Sequence, residues 1–523
     1  MTKAVTEEAR VDDLSKVRIE DLAVKSDAEV EEIDRAVEGS PYFNRDLAPA
    51  GPSRRTWNTW HITAMWIGMS VVITTYTLAS GLMASGMNWW QALLTITLGN
   101  VIVLIPMVLN AHAGVRYGIP FPVFVRASFG IRGANIAAIA RALVACGWFG
   151  IQTWLGSLAL DALLTQLWDG WADLGWHRAF AFLAFWLFQV AIILRGMEAI
   201  KYLESWAAPL LLGGGIAVMI WAFVEVGSLT EPFGSGPQRQ LEAQGPGFWT
   251  LFWPALAANV GYWATLSLNI PDFTRFAQSQ RAQFVGQAIG LPLTMAAFSF
   301  IGIAVTAATV VIYGEAIWDP IALMNQFGSA AVLILAMIII VAAQVTTNMA
   351  ANVVAPSNDF SNVWPRKISF KMGGVITALI GIAMFPWEIY EDLAAYIFTW
   401  LVGYGSLLGA IAGVMIVDYW VIRRERLELV DLYSADPRGR YWYSSGFNWR
   451  AIVAVAVAVI PVIPGFINAA TTEGGVVQDP NLLDRFYTYG FGFTFLVASV
   501  LYFILMRATP ERRPEPAVAA RAR

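Results

Sequence analysis

Charge is scarce in this chain. Of its 523 residues only 14% are Asp, Glu, Lys or Arg, where a soluble domain carries about a quarter. Much of the surface must therefore face something other than water. Cysteine is nearly absent: the single Cys146 excludes an internal disulfide and any cluster with zinc or iron–sulfur spacing. The three histidines, His61, His112 and His177, are too far apart in sequence to suggest a metal site. A net charge of −4 excludes a strongly basic nucleic-acid footprint, so no nucleic-acid partner is expected. The first 59 residues hold no apolar stretch that could act as a signal peptide.

Apolar residues make up 57% of the chain, and the mean hydropathy is +0.55. The 23 Trp and 30 Phe suit aromatic belts at two membrane interfaces. Apolar runs of membrane-spanning length recur near 60–84, 89–109, 134–166, 178–195, 203–224, 248–270, 284–313, 329–355, 373–387, 392–422, 451–468 and 485–506. These predict an all-α polytopic membrane protein of about twelve spans. The split of 60–109 and the run at 373–387 are the least distinct.

Direction follows from charge. The loops at 110–133, 196–202, 271–283, 356–372 and 423–450, with Arg195 at a helix end, carry sixteen Lys and Arg, whereas the alternate loops carry only Arg178, Arg239 and Arg485. The positive-inside rule places the first set in the cytoplasm, with both termini there and the chain in the cell membrane. Residues 1–59 form a polar tail whose first fifty positions hold thirteen acidic and seven basic side chains. It reads as mostly disordered or loosely helical. Residues 507–523 form a second tail. The Gly- and Pro-rich loop 227–247 reads as a linker, with a lid as the alternative.

Polar groups inside spans mark cavities or ordinary helix packing. Span 1 holds Gly68, Ser70, Thr74, Thr75, Ser80 and Gly81; span 6 holds Asn259 and Gly261 beside Tyr262 and Trp263. If the first ten spans form two inverted repeats, near 60–224 and 248–422, spans 1 and 6 correspond, and paired broken helices point to a transporter's central site. In span 3, Trp148 and Gln152 are four apart and share a face. An indole beside an amide suits a flat heterocycle, which stacks on one and hydrogen-bonds the other. Span 8 gathers Gln344, Thr346, Thr347, Asn348 and Asn352. Its hydroxyls and carbonyls suit an alkali cation, and Asn352 suits a substrate amide; the hydroxyls can equally cap their own helix.

No Asp or Glu falls at the centre of a span. Asp161 is expected toward the outer surface and Arg141 to snorkel to the cytoplasmic side. A proton-driven carrier ordinarily keeps a buried titratable group, so the coupling ion tilts to sodium, with the proton as alternative. Paired intramembrane carboxylates are also missing, which disfavours an enzyme.

The segments NWWQALLTITLGN (88–100), NAHAGVRYGIPFPVFVRASFG (110–130), WFGIQTW (148–154), NIPDFTRF (269–276), TTNMAANVVAPSNDF (346–360) and DYWVIRRERLELVDLY (418–433) together resemble the nucleobase–cation symporter family of hydantoin, allantoin, uracil and cytosine permeases. The resemblance is collinear over spans 1 to 10. It implies a LeuT-like fold, two inverted five-helix repeats plus two C-terminal helices (451–506), working by alternating access. It also implies stacking residues Trp148 and Trp263, polar substrate contacts Gln152 and Asn352, and sodium ligands at the carbonyls of Gly68, Val71 and Ala343 and the hydroxyls of Thr346 and Thr347. Two positions depart from the hydantoin transporter: Val72 replaces a substrate-facing glutamine, and Tyr262 replaces a glycine. Substrates with large substituents are therefore in doubt. The function implied is cation-coupled import of allantoin, uracil or a related heterocycle, with no cofactor. A non-transporting sensor of the same fold, or a symporter of another small solute such as hydantoin, cytosine or a vitamin, is the alternative. Oligomeric state is not readable.

Overall fold

The computed structural model describes residues 17–509 apart from 196, 325, 328, 393 and 394. Among these the chain is helical, with two isolated bridges and no named strand. Nine helices are long and apolar enough to cross a membrane, and Thr59–Ser70 with Ile73–Ala84, bent by 58°, makes a tenth. The remaining two expected spans are present in altered form. Span 6 is split into Phe248–Tyr262 and Ala264–Asn269. Span 9, Phe370–Ala383, has only 14 residues. At 1.5 Å per residue it is about 21 Å long, short of the hydrocarbon core of about 30 Å. It is sheltered against spans 3 and 8.

Local chemistry sets the ends. Span 2 (Trp89–Tyr117) opens with a capping box of Asn88 and Gln91 and closes at Gly118, φ 72°; the left-handed turn there favours glycine. Span 7 (Gln280–Tyr313) opens on the Ser279 cap and closes at Gly314, φ 79°. The best-buried spans are 3, 7 and 10, at 72%, 72% and 78% of their apolar windows, whereas spans 5 and 11 reach only 11% and 28%. The core is therefore inside the first ten spans, and spans 11 and 12 flank it.

Two sequence expectations are corrected. Residues 17–59 were expected as mostly disordered or loosely helical; they do hold the helix Asp27–Val37, but they also pack on the helix ends. Arg18 N–H donates to Gln278 O (3.0 Å), Ala23 N–H to Arg116 O (2.7 Å) and Ala50 N–H to Gly118 O (2.8 Å). Sparse apolar residues, Leu22, Val24, Val37 and Leu47, are buried and anchor an otherwise charged segment. Arg55 donates to the Ala50 and Val115 carbonyls, and burial lowers its guanidinium to about 10. Residues 1–16 and 510–523 of the two tails lie outside the described residues. The loop 227–247 is likewise not a bare linker. It folds as Glu231–Phe233 and the helix Ser235–Glu242, and Gln238 and Glu242 accept from Trp89 N–H (2.9 Å) and Asn88 Nδ2 (2.7 Å). Those bonds tie the loop to the start of span 2.

Candidate functional site

Spans 1 and 6 both lose their helical ladder part-way along. In span 1, Val71 (φ −82°, ψ 80°) and Val72 (φ −148°, ψ 154°) are non-helical. The Val72 N–H bonds Ser70 O at 3.1 Å instead of the Gly68 carbonyl four residues back. A Cβ on Gly68 would meet nothing within 4 Å, so the break does not depend on that glycine. Span 6 breaks at Trp263 (φ −105°, ψ 8°). Gly261 has a different task there: a Cβ would lie 2.3 Å from Leu401 O, so glycine lets span 6 approach span 10.

The breaks deliver an aromatic cluster. The Trp148 and Tyr262 rings are 5.2 Å apart at 75°, Tyr262 and Trp263 5.0 Å apart at 80°, and Trp263 and Trp66 5.1 Å apart at 85°. These edge-to-face pairs are the favoured aromatic geometry. The Tyr262 hydroxyl lies 2.6 Å from Thr74 Oγ1 and 3.2 Å from Thr75 Oγ1, fastening span 6 to the second half of span 1. Trp148 Nε1 donates to the Tyr404 hydroxyl at 3.0 Å, and Tyr396 lies 6.0 Å from Trp148. Sequence reasoning missed Tyr396 and Tyr404, which stand in an otherwise apolar and aromatic stretch with only Thr399 and Ser406 nearby. None of Val72, Trp148, Gln152, Tyr262, Trp263 and Asn352 is more than 6% exposed, so the cluster is closed to both faces.

Four buried polar atoms of these residues lack a hydrogen-bond partner: the acceptor Gln152 Oε1, the donors Trp263 Nε1 and Trp66 Nε1, and the Tyr396 hydroxyl. An orphaned buried group is costly, and a planar solute with both N–H and C=O edges suits the Gln152 acceptor and the Trp263 donor. Asn352 is oriented from behind. Its Nδ2 donates to Asn348 Oδ1 (2.9 Å), and Asn348 Nδ2 donates to Gln189 Oε1 (2.7 Å), Phe149 O (3.1 Å) and Thr153 Oγ1 (3.2 Å). Span 8 is thus keyed to spans 3 and 4 beside Trp148. Gln189 and Thr153 were not anticipated; Asn348 was, as part of the polar run.

The residues named for a cation occupy spans 1 and 8, which touch. Thr346 Oγ1 donates to Ala343 O at 2.9 Å and lies 3.2 Å from Ala342 O, and Thr347 is buried next to it. Val72 N–H is turned to Ser70, and the hydroxyls and carbonyls named here are oxygen ligands of the kind a hard cation takes.

The expected snorkelling of Arg141 is corrected. Its side chain is fully buried, with Nη1 3.3 Å from Asp359 Oδ2 and Nη2 donating to Asn269 Oδ1 at 2.9 Å. Asp359 was assigned to a loop, but span 8 (Ala330–Asn352) continues as Val354–Val363. Pro356 stands in the first turn, where proline is tolerated, and so does not end the span. Asp161 receives Trp171 Nε1 (2.9 Å) and lies 2.7 Å from His177 Nδ1, in the turn between spans 3 and 4.

The family described as "Permease for cytosine/purines, uracil, thiamine, allantoin" matches residues 49–487. The purine-uracil permease NCS1 of Arabidopsis thaliana is 42% identical over 88% of this chain and 77% of its own length. The allantoin permease of Bacillus subtilis is 39% identical over 89% of this chain and 94% of its own. Among solved structures, the nucleobase-cation-symport-1 family transporter Mhp1, closed with bromovinylhydantoin bound, aligns at TM-score 0.72 and 27% identity, covering 90% of this chain and 97% of that one.

Proposed function

This chain belongs to the family of permeases for cytosine and purines, uracil, thiamine and allantoin, and we propose that it imports uracil, a purine base or allantoin together with sodium. The carrying observation is the buried cluster of Trp148, Tyr262 and Trp263 with the orphaned acceptor Gln152 Oε1 and donor Trp263 Nε1. A flat ring bearing adjacent N–H and C=O groups stacks there and pairs both atoms. The names of the plant and Bacillus relatives support this substrate class. The two five-span repeats are taken as 60–224 and 248–422. The Lys and Arg bias of the loops supports a cell-membrane protein with both termini in the cytoplasm. The buried oxygen donors around Thr346, Thr347 and the Val71 break support sodium.

Uptake of labelled uracil and labelled allantoin, each competed by a heterocycle panel with and without sodium, tests the reading. Saturable, sodium-stimulated uptake of one of them supports it. Absence of uptake for every heterocycle, with protein present in the membrane, rejects it in favour of a sensor.

Two specific outcomes follow. Gln152→Leu and Asn352→Leu each remove a hydrogen-bonding partner from a buried substrate edge, at about 1–2 kcal/mol. That corresponds to roughly 5–30-fold in affinity. Serine or histidine at either position is expected to cost less, and binding titrations on purified protein provide the check. Tyr262→Gly opens the space taken by the phenol ring and releases Thr74 and Thr75. Competition assays should then show 5-substituted hydantoins gaining affinity while uracil loses several-fold.

A further inference from the structure

We infer that Arg141 is a positioning residue for transport: a latch that holds the inner half of broken span 6 against spans 3 and 8 and so closes the cytoplasmic path beneath the substrate. The proposal rests on the alternating-access reading and the orientation given above. Its geometry is independent of the substrate.

Spans 3, 6 and 8 each contribute to the aromatic and amide site, and each supplies one residue to the latch. Arg141 is seven residues from Trp148, Asp359 seven from Asn352, and Asn269 six from Trp263, each toward the face that carries the described N-terminal segment. On helices these steps are about 10 Å, so the latch is a second layer directly under the site. Arg141 Nη1 faces Asp359 Oδ2 at 3.3 Å, on the span 8 side, and Nη2 donates to Asn269 Oδ1 at 2.9 Å, on the span 6 side. One guanidinium thus joins two elements that rocking would separate.

Comparison with Arg126 shows why this contact suits switching. Arg126, also fully buried, is bonded on every side: Nε and Nη2 to Asn362 Oδ1 (3.1 and 2.7 Å), Nη1 to Leu432 O (2.9 Å) and Nη2 to Tyr42 O (3.0 Å). It fixes the loops between spans. Arg141 Nε and Asp359 Oδ1, by contrast, are buried without a partner. A buried ion pair is weak evidence for stability, and one left partly unsatisfied gains hydrogen bonds as soon as water enters. The closed arrangement is therefore specific but not deeply favoured, as a gate requires. Asn269 is the neutral side of the latch: its loss frees span 6 without stranding a charge.

The test is cytoplasmic accessibility. Val144 lies between Arg141 and Trp148 on the same face of span 3 and is buried. In a Cys146→Ala background, Val144→Cys reports opening through its labelling rate with a membrane-impermeant maleimide applied to inside-out vesicles. Adding Asn269→Ala should raise that rate about tenfold by shifting the closed–open balance. Arg141→Lys, which keeps the charge facing Asp359 but loses the planar fork, should give a smaller rise. The double variant Arg141→Met with Asp359→Leu removes both charges, so no buried charge is stranded, and should label as fast as Asn269→Ala. Unchanged labelling in Asn269→Ala and in the double variant, with folded protein, overturns the latch. So does failure of all three variants to fold, which would make the contact structural. Because labelling needs no substrate, an absence of wild-type uptake counts against the transport reading and leaves this measurement intact.

Discussion

Replacing Trp148 by alanine is expected to weaken substrate binding about 30- to 150-fold, a loss of roughly 2–3 kcal/mol. The ring is buried and sits edge-to-face with Tyr262 at 5.2 Å. Removing it deletes a stacking surface and a large apolar area together; the stacking part alone is worth about 0.5–1.5 kcal/mol. It also strands the Tyr404 hydroxyl, which Trp148 Nε1 now reaches at 3.0 Å. Trp148→Phe separates these contributions. It keeps a stacking ring but loses the N–H and part of the indole's apolar area, so binding should fall several-fold if stacking dominates. Trp263→Ala should behave like Trp148→Ala, with the added loss of the donor Nε1 that lacks a protein partner. Equilibrium binding on purified protein decides the matter. Unchanged affinity in both alanine variants removes the stacking assignment.

The aromatic cluster was legible in the sequence because its signals are local. Trp148 and Gln152 share a face by spacing alone, and Tyr262–Trp263 stand next to each other. The breaks were legible only in part: polar and glycine content marked spans 1 and 6, but the span 1 break falls at Val71–Val72, where no residue type announces it. Arg141 was misread because snorkelling assumes a helix facing lipid, and span 3 is 72% buried over its apolar window. Its partner was hidden by Pro356, which reads as a stop and stands inside a continuing helix. The packing of the N-terminal segment was not read because charge dominates its composition, while buried apolar side chains such as Leu22, Val24, Val37 and Leu47 hold it. The misses at Arg141 and in the N-terminal segment concern contacts between distant residues, which spacing cannot reveal.

Replacing Thr346 and Thr347 together by alanine is expected to abolish the effect of sodium on substrate binding while sparing most of the sodium-free affinity. In the structure the Thr346 hydroxyl donates to Ala343 O at 2.9 Å, with Ala342 O at 3.2 Å as its alternative acceptor. A swing of the hydroxyl proton to Ala342 releases the Ala343 carbonyl, while the Oγ1 lone pairs remain available as ligands; on span 1, Val72 N–H has already turned away from Gly68. A cation held there braces spans 1 and 8, and span 1 is tied through Thr74 to Tyr262 at 2.6 Å. On the proposed reading ion and substrate favour the same closed cluster, and their affinities should be reciprocally coupled by about 1–3 kcal/mol, or 5–150-fold. Sodium should tighten substrate binding within that range in the native protein, and the double variant should show none of it. The singles need not match: adjacent helix positions point about 100° apart, and only Thr346 has the proton swing described. Calorimetric titration of substrate with sodium or choline as the cation measures the coupling directly. Sodium-independent binding whose midpoint moves with pH would transfer the coupling to a proton, with buried Asp359 as the first group to replace.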